Sequence, residues 1–342
     1  HRARRQGKQL AIFGCGPKVE KAKWQAAFPG ALIFGGDAEL LAHFGIDADE
    51  LDYPLADRTR LPVAIQTGCD NLCTFCITRV ARGKAQDFPV EGILRQIRRA
   101  EAIGVQEVVL TGIQLASWGC TDSLRQPQSS RLPELLNTII EQTEILRIRL
   151  SSLGPQFLQA EFFRILQNPR ICDHLHLSVQ SGSPAVLRRM NRGHGVDEIH
   201  NTAKYARQVR PDIALTCDLI VGFPGETEAE FTETLQLVEE IGFAKLHVFP
   251  FSPRQGTGAA NFPKQVPATV KKERAQMLRK KGEELRTKFI QNQVGSVAQV
   301  LAEDRHSGWS TNYIRLRTPQ LRPGQIAPVR IEQKNLAMEP SH

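Results

Sequence analysis

The residues best placed to do chemistry in this chain are three closely spaced cysteines. They fall in Gly68-Cys69-Asp70-Asn71-Leu72-Cys73-Thr74-Phe75-Cys76, a C-x3-C-x2-C run directly after a strand-like segment. Three thiolates this close can wrap one metal centre. A structural zinc site calls for a fourth ligand nearby, but the next thiol is Cys120 and the next imidazole is His174. A four-iron cluster held by three thiolates leaves one iron open to a small ligand. Three incidental cysteines are the poorer alternative, because clustered thiols on a loop invite oxidation unless they bind something. The spacing therefore predicts a [4Fe-4S] centre on Cys69, Cys73 and Cys76.

The elements that must position this loop alternate along the chain. Strand-like runs are Pro62 to Thr67, Glu107 to Thr111, Leu146 to Ser151, His174 to Val179, Ile213 to Val221 and Lys245 to Pro250. Between them, Val90 to Ile103, Arg131 to Thr143, Pro155 to Leu166, Val196 to Val209 and Thr227 to Ile241 repeat apolar residues at helical spacing. Strands as apolar as Val108-Val109-Leu110, alternating with helices, predict an α/β fold with a parallel sheet. Right-handed crossovers curl six such units into a partial (β/α)6 barrel, with chemistry at the carboxyl ends of its strands.

The flanks differ. Residues 1–55 hold two strand-like runs, Leu10 to Phe13 and Ala31 to Phe34, and a helix from Lys18 to Ala27, an α/β piece that looks partial. After the barrel, expected over 56–268, residues 269–342 begin with a basic helix, Thr269 to Gln291. Alternating runs at Val294 to Leu301, Tyr313 to Thr318 and Gln325 to Ile331 then predict a small β module.

Composition narrows the classes. The chain has 342 residues, enough for more than one domain, and 41% hydrophobic against 23% charged residues excludes disorder and coiled coil as the global state. No run is long and apolar enough to span a bilayer, and His1-Arg2-Ala3-Arg4-Arg5 lacks the apolar core of a signal peptide. Forty-four Lys and Arg against 36 Asp and Glu give a net charge of +8, which favours a polyanionic partner and nucleic acid ahead of membrane. Seven cysteines, an odd number without a secretion signal, argue for reduced thiols in a cytoplasmic protein.

The three-cysteine loop, with the aromatic Phe75 before its last cysteine and at the first strand of a partial barrel, resembles the radical S-adenosylmethionine (SAM) superfamily. Further segments resemble the methylthiotransferases within it, in that family's order: residues 73–83, Leu-Thr-Gly-Ile-Gln (110–114), Arg-Leu-Ser-Ser-Leu (149–153), His-Leu-His-Leu-Ser-Val-Gln-Ser-Gly (174–182), Met-Asn-Arg (190–192), residues 218–227 and residues 247–257. The basic helix and β module are similar to the family's RNA-binding TRAM barrel. The stretches 111–119 and 247–254 are most similar to the branch acting on N6-threonylcarbamoyladenosine in tRNA.

That resemblance implies a cluster whose open iron chelates SAM, and a radical that converts a C2–H bond of the adenine at tRNA position 37 to C2–SCH3. It implies an anticodon stem-loop as partner and an electron donor such as flavodoxin or ferredoxin. Isopentenyladenosine tRNA as substrate, or a non-catalytic RNA-binding protein with a structural metal site, are the alternatives. Cofactor contacts are expected from Phe75, Thr111, Gly112, Gln180, Arg192 and Gly222, since a methionine carboxylate calls for a cation and a ribose for hydrogen bonds. Gly112, Gly182 and Gly222 can equally be tight turns after strands, and Glu226 and Thr227 read as helix capping. His174 and His176 share one strand face, as satisfied core histidines or as site residues. Cys15 resembles the last of three ligands to the family's auxiliary cluster; the other two are expected upstream of His1, unless that cluster is lost. RNA phosphates are expected to meet part of the set Lys271, Lys272, Lys280, Lys281, Arg315 and Arg317.

Overall fold

A computed structural model describes residues 9–46, 59–120 and 126–337. The boundary expected near residue 55 lies outside them. The described chain begins with a parallel strand pair, β1 (Ala11–Ile12) and β2 (Leu32–Ile33), around helices α1 (Cys15–Val19) and α2 (Lys21–Ala27), with α3 (Asp37–Phe44) following. The single helix expected from Lys18 to Ala27 is two, because Glu20 leaves helical geometry between them.

The central fold starts at β3 (Arg60–Ala64) and continues through β4 (Gln66–Thr67), the thiol loop, helix α4 (Thr78–Arg82) and β5 (Gln86–Asp87). Then come α5 (Val90–Ala102), β6 (Glu107–Thr111), α6 (Leu132–Gln142), β7 (Arg147–Leu150), β8 (Ser152–Leu153), α7 (Ala160–Ile165) and β9 (His174–Gln180). Next are α8 (Pro184–Arg189), α9 (Val196–Val209), β10 (Ala214–Val221), α10 (Glu228–Ile241) and β11 (Lys245–Pro250). The strands are parallel in two runs, β3-β6-β7 and β8-β9-β10-β11. The strand expected over Leu146 to Ser151 is β7, Arg147–Leu150. It pairs with β6, and the separate β8, just past the expected end, pairs with β9 and so links the two runs.

Helix periodicity explains the outer layer. Ile93, Leu94, Ile97 and Ala100 of α5 are all fully buried, and each large apolar side chain contributes roughly 2 kcal/mol by leaving water. The helix expected over 155–166 is instead a short 3-10 turn (Pro155–Phe157) and α7, because Gln159 is extended between them.

Some residues on these strands are polar and buried. At the amino-terminal end of β6 Glu107 is fully buried, with Arg147 Nε at 2.8 Å and Arg149 Nε at 2.6 Å. Burial alone would raise the Glu107 carboxyl, but the two guanidinium groups hold it below its usual value.

Helix α11 (Ala268–Gln293) then leads to β12 (Val297–Ala302), β13 (Ser307–Ser310), β14 (Arg315–Arg317) and β15 (Ile326–Arg330), an antiparallel sheet in the order β14-β13-β12-β15. Strand β13 was not expected. Its turn into β14 sits beneath the wall: Arg149 donates to Thr311 O at 2.9 Å and lies 4.0 Å over the Tyr313 ring. Helix α11 begins at the opposite end, where Lys271 covers Gly222 and Arg274 pairs with Glu226. It finishes with Gln293 bonded to Asp212, just before β10. No helix among the described residues is long and apolar enough to cross a membrane.

Candidate active site

The thiol loop leaves the carboxyl end of the β3–β4 run through Gly68, at φ +68°. A Cβ there would stand 2.0 Å from the Lys84 carbonyl oxygen, so only glycine lets the chain turn. Cys76 N donates to Cys73 O at 3.1 Å, curling the loop. Segments far away in sequence then pin it. Thr74 donates through N and Oγ1 to the carbonyls of Met190 and Arg189, and Asn191 Nδ2 donates to Leu72 O. Asn191 takes φ +55° to do so. Phe75 meets Phe223 edge to face, 6.5 Å between ring centres, over a small apolar cluster of Val186, Met190, Phe223, Phe251 and Ala259.

Arg192 reaches the same loop. Its Nη1 lies 3.2 Å from Cys73 Sγ, and its Nη2 donates to Ser178 O at 2.8 Å. Burial, with Cys73 and Cys76 beside it, pushes the Cys69 thiol up, so a cationic centre is what would favour its thiolate. Three thiols on one pinned loop with a guanidinium alongside fit an iron–sulfur cluster with a free coordination position better than a closed tetrahedral site. The arrangement can hold a redox centre at the mouth of the strand wall and an anionic group beside it.

The other expected cofactor contacts divide. Thr111 ends β6, and its carbonyl accepts from Ile65 N. Gly112 sits against Gln66, whose Oε1 accepts from Ile113 and Gln114 backbone N–H groups. Gln66 was missed in the sequence, because nothing local marks a glutamine as a turn anchor. Gln180 ends β9 at φ +74°, a strained geometry for a side-chain-bearing residue, at the mouth. Gly222 answers to packing: its N–H donates to Glu226 Oε2 at 2.7 Å, and its α-face is covered by Lys271. Thr227 caps α10 with Glu230, whereas Glu226 is a buried partner of Arg274 and not a cap.

Cys15 comes to the same end of the barrel, where Arg82 Nε donates to its sulfur at 3.2 Å, from the helix that follows Cys76. The basic set is split. Lys271 is half-buried and donates to Phe251 O. Lys281 pairs with Glu239 and Glu284, and Arg315 is held by Ser307 and Asp304. Lys272, Lys280 and Arg317 are exposed.

A parallel α/β wall carrying a C-x3-C-x2-C loop at its carboxyl edge defines a class of enzyme, and the Radical SAM superfamily matches residues 63–238. The threonylcarbamoyladenosine tRNA methylthiotransferase MtaB of Thermotoga maritima is 37% identical over 81% of this chain and 64% of its own length. MtaB of Rickettsia prowazekii is 34% identical over 93% of this chain and 79% of its own. A tRNA-2-methylthio-N(6)-dimethylallyladenosine synthase from Lachnoclostridium phytofermentans is 36% identical over 71% and 52%. The chain belongs to the radical SAM superfamily and, within it, to the tRNA methylthiotransferase family. It spans about two thirds of the Thermotoga relative's length. In fold it is similar to the cobalamin-dependent radical SAM enzyme OxsB with aqua-cobalamin and SAM bound, at TM-score 0.52 and 13% identity over 82% of this chain and 43% of that one.

Proposed function

We propose that the chain is the catalytic part of a tRNA methylthiotransferase that converts C2–H to C2–SCH3 on N6-threonylcarbamoyladenosine at position 37. The observation that carries this is the pinned thiol loop with Arg192 beside Cys73, in a chain 34% identical to the Rickettsia MtaB over 93% of its length. In this reading Cys69, Cys73 and Cys76 hold a [4Fe-4S] cluster, and Thr111, Gly112, Gln180 and Arg192 surround SAM. When bound, those groups supply a carbon radical, which an aromatic C–H too weakly acidic for any base requires.

The protein's own work is placement. Phe75 seats the loop on its apolar cluster, and Arg192 offers positive charge to a carboxylate at the mouth. Cys15, so close to the loop's following helix, is read as one ligand of an auxiliary centre. Lys272, Lys280 and Arg317 are the phosphate contacts, and the antiparallel sheet is the TRAM-like RNA module. We divide the chain as 1–55, 56–268 and 269–342, place the protein in the cytoplasm, and expect an anticodon stem-loop as substrate and a flavodoxin or ferredoxin as electron donor.

Anaerobic reconstitution with iron, sulfide, SAM and dithionite tests this. Release of 5′-deoxyadenosine, abolished in Cys73→Ala together with about four irons per chain, is the expected result. An iron-loaded chain that binds tRNA yet never cleaves SAM would instead be an RNA-binding protein with a structural metal site.

A further inference from the structure

The positive charge of the chain is unevenly placed. Four segments meet around the thiol loop: residues 68–87, which hold it, and residues 184–195, 222–230 and 251–274. Together they carry eleven Lys and Arg against six Asp and Glu, so five of the eight excess charges fall in 65 of the 342 residues. Backbone bonds tie the segments to one another. Thr74 N donates to Met190 O at 3.0 Å, Ala259 N to Thr74 O at 2.8 Å and Gly225 N to Lys264 O at 2.8 Å. They therefore form one rim at the mouth of the strand wall.

The acids on this rim already have partners. Asp70 Oδ1 accepts from Ala85 N, and Asp87 Oδ2 accepts from Gly119 N. Glu226 and Glu228 pair with Arg274, and Glu230 takes both Nη groups of Arg189. Among the described residues of these segments only Glu273 is left to water. The cations are the reverse case. Lys84 after the thiol loop, Arg188 on α8, Arg254 and Lys264 after β11, and Lys272 on α11 are exposed, and their side chains meet no acid among the described residues. An opening ringed by unmatched cations concentrates a polyanion at its entrance.

The space beneath the rim favours RNA over an acidic protein, which would cover the entrance without using what lies inside. The lumen carries His176, Asp218 and His247 on three adjacent strands, with donor atoms all within 4.8 Å of one another. Phe249, on β11 nearer the mouth and 51% exposed, offers a ring on which a base can stack. A base that leaves its own stack to enter loses stacking energy, and contacts to its flanking phosphates offset that loss. We infer that this rim grips the phosphates on either side of the target nucleotide, through Lys84, Arg188, Arg254, Lys264 and Lys272. The inference rests on the tRNA reading above, and it adds a hold nearer the chemistry than Lys280 or Arg317. Phosphate contacts position without reading sequence, so the rim holds modified and unmodified loops alike.

The test is the salt dependence of fluorescence anisotropy, with the whole reconstituted chain and a labelled anticodon stem-loop RNA. Arg254→Gln with Lys264→Gln should flatten the log–log slope by about 1.4, at about 0.7 for each contact to a single-stranded loop. Arg254→Lys with Lys264→Arg keeps both charges and should restore it. Arg95→Gln with Lys204→Gln, on the outer helices α5 and α9, should leave the slope as in wild type. Iron content and 5′-deoxyadenosine release without RNA should not change in any of them. An unchanged slope in the Arg254/Lys264 pair, or equal flattening by the outer pair, overturns the grip while leaving the tRNA reading standing. So does an unchanged slope with slower reduction of the cluster by reduced flavodoxin, which would assign the rim to an acidic protein. Failure of wild type to bind the RNA overturns both.

Discussion

Arg192 Nη1 stands 3.2 Å from Cys73 Sγ, across 119 residues of sequence. The contact joins the turn after α8 to the thiol loop, and Nη2 ties the same guanidinium to Ser178 O on β9. One side chain thus sets the loop's distance from the strand that ends at Gln180.

Replacing that fork with a point charge should separate two roles. Arg192→Lys is expected to keep the iron content of the reconstituted chain while 5′-deoxyadenosine release falls about tenfold, since a charge-assisted bond contributes about 1.5–3 kcal/mol. Loss of iron in step with activity would make Arg192 a support for the loop alone.

Two glycines should respond differently to alanine. At Gly68 the obstacle is the Lys84 carbonyl oxygen at 2.0 Å, part of the backbone. Gly68→Ala should therefore cost about 3 kcal/mol or more and release the cluster. At Gly222 the obstacle is the Lys271 side chain, 2.1 Å away at Cγ. Gly222→Ala combined with Lys271→Ala should recover most of the loss, leaving about 1–2 kcal/mol for the positive φ. Chemical denaturation of the three variants measures this, and a double variant no better than Gly222→Ala would refute the assignment of the clash.

Acid should weaken the fold through His194. Burial, and then Arg192 nearby, push its ring down to about 4, while Nε2–H donates to Val179 O at 3.1 Å. The unfolded chain binds this proton near pH 6.5, the folded chain only near pH 4. The contribution is complete above about pH 6.5 and is lost as pH falls, to a total of about 3 kcal/mol. His194→Gln should flatten that part of the stability curve; an unchanged acid limb would move the titration elsewhere.

The split of the basic set has a salt signature. Each phosphate contact removed should flatten the log–log salt dependence of RNA affinity by about 0.7–0.9. Lys272→Ala with Lys280→Ala should therefore flatten it by up to twice that. Lys271→Ala should leave the slope unchanged, because its ammonium is spent on Phe251 O. A slope that responds to Lys271 alone would reverse the assignment.

The sequence made the barrel legible because each layer repeats with its own period. Glu107–Thr111 and Lys245–Pro250 were bounded to the residue, and so was Val196–Val209. What escaped it depends on partners far along the chain. Nothing near Ser151 says that β7 ends there and that β8 pairs with a different neighbour. No helical pattern in α11 tells Lys271, which faces Gly222, from Lys272, which faces water. At the site, the thiol spacing is local and was read directly. The His176–Asp218–His247 group is not, since its members lie on three strands and meet only through register.

The course of α11 sets a ruler. Lys271 touches the mouth at Gly222 and Gln293 reaches the far end at Asp212, so 22 residues of helix separate the two by about 33 Å. The antiparallel sheet hangs from the far end, with Arg317 on it. A polynucleotide that places one base in the lumen and a phosphate on that sheet must bridge most of this span. A trinucleotide carrying the target base is too short to do so, whereas a stem-loop with several base pairs beneath its loop is not. If the chain acts on tRNA as proposed, minimal substrate length would then follow from the length of a single helix.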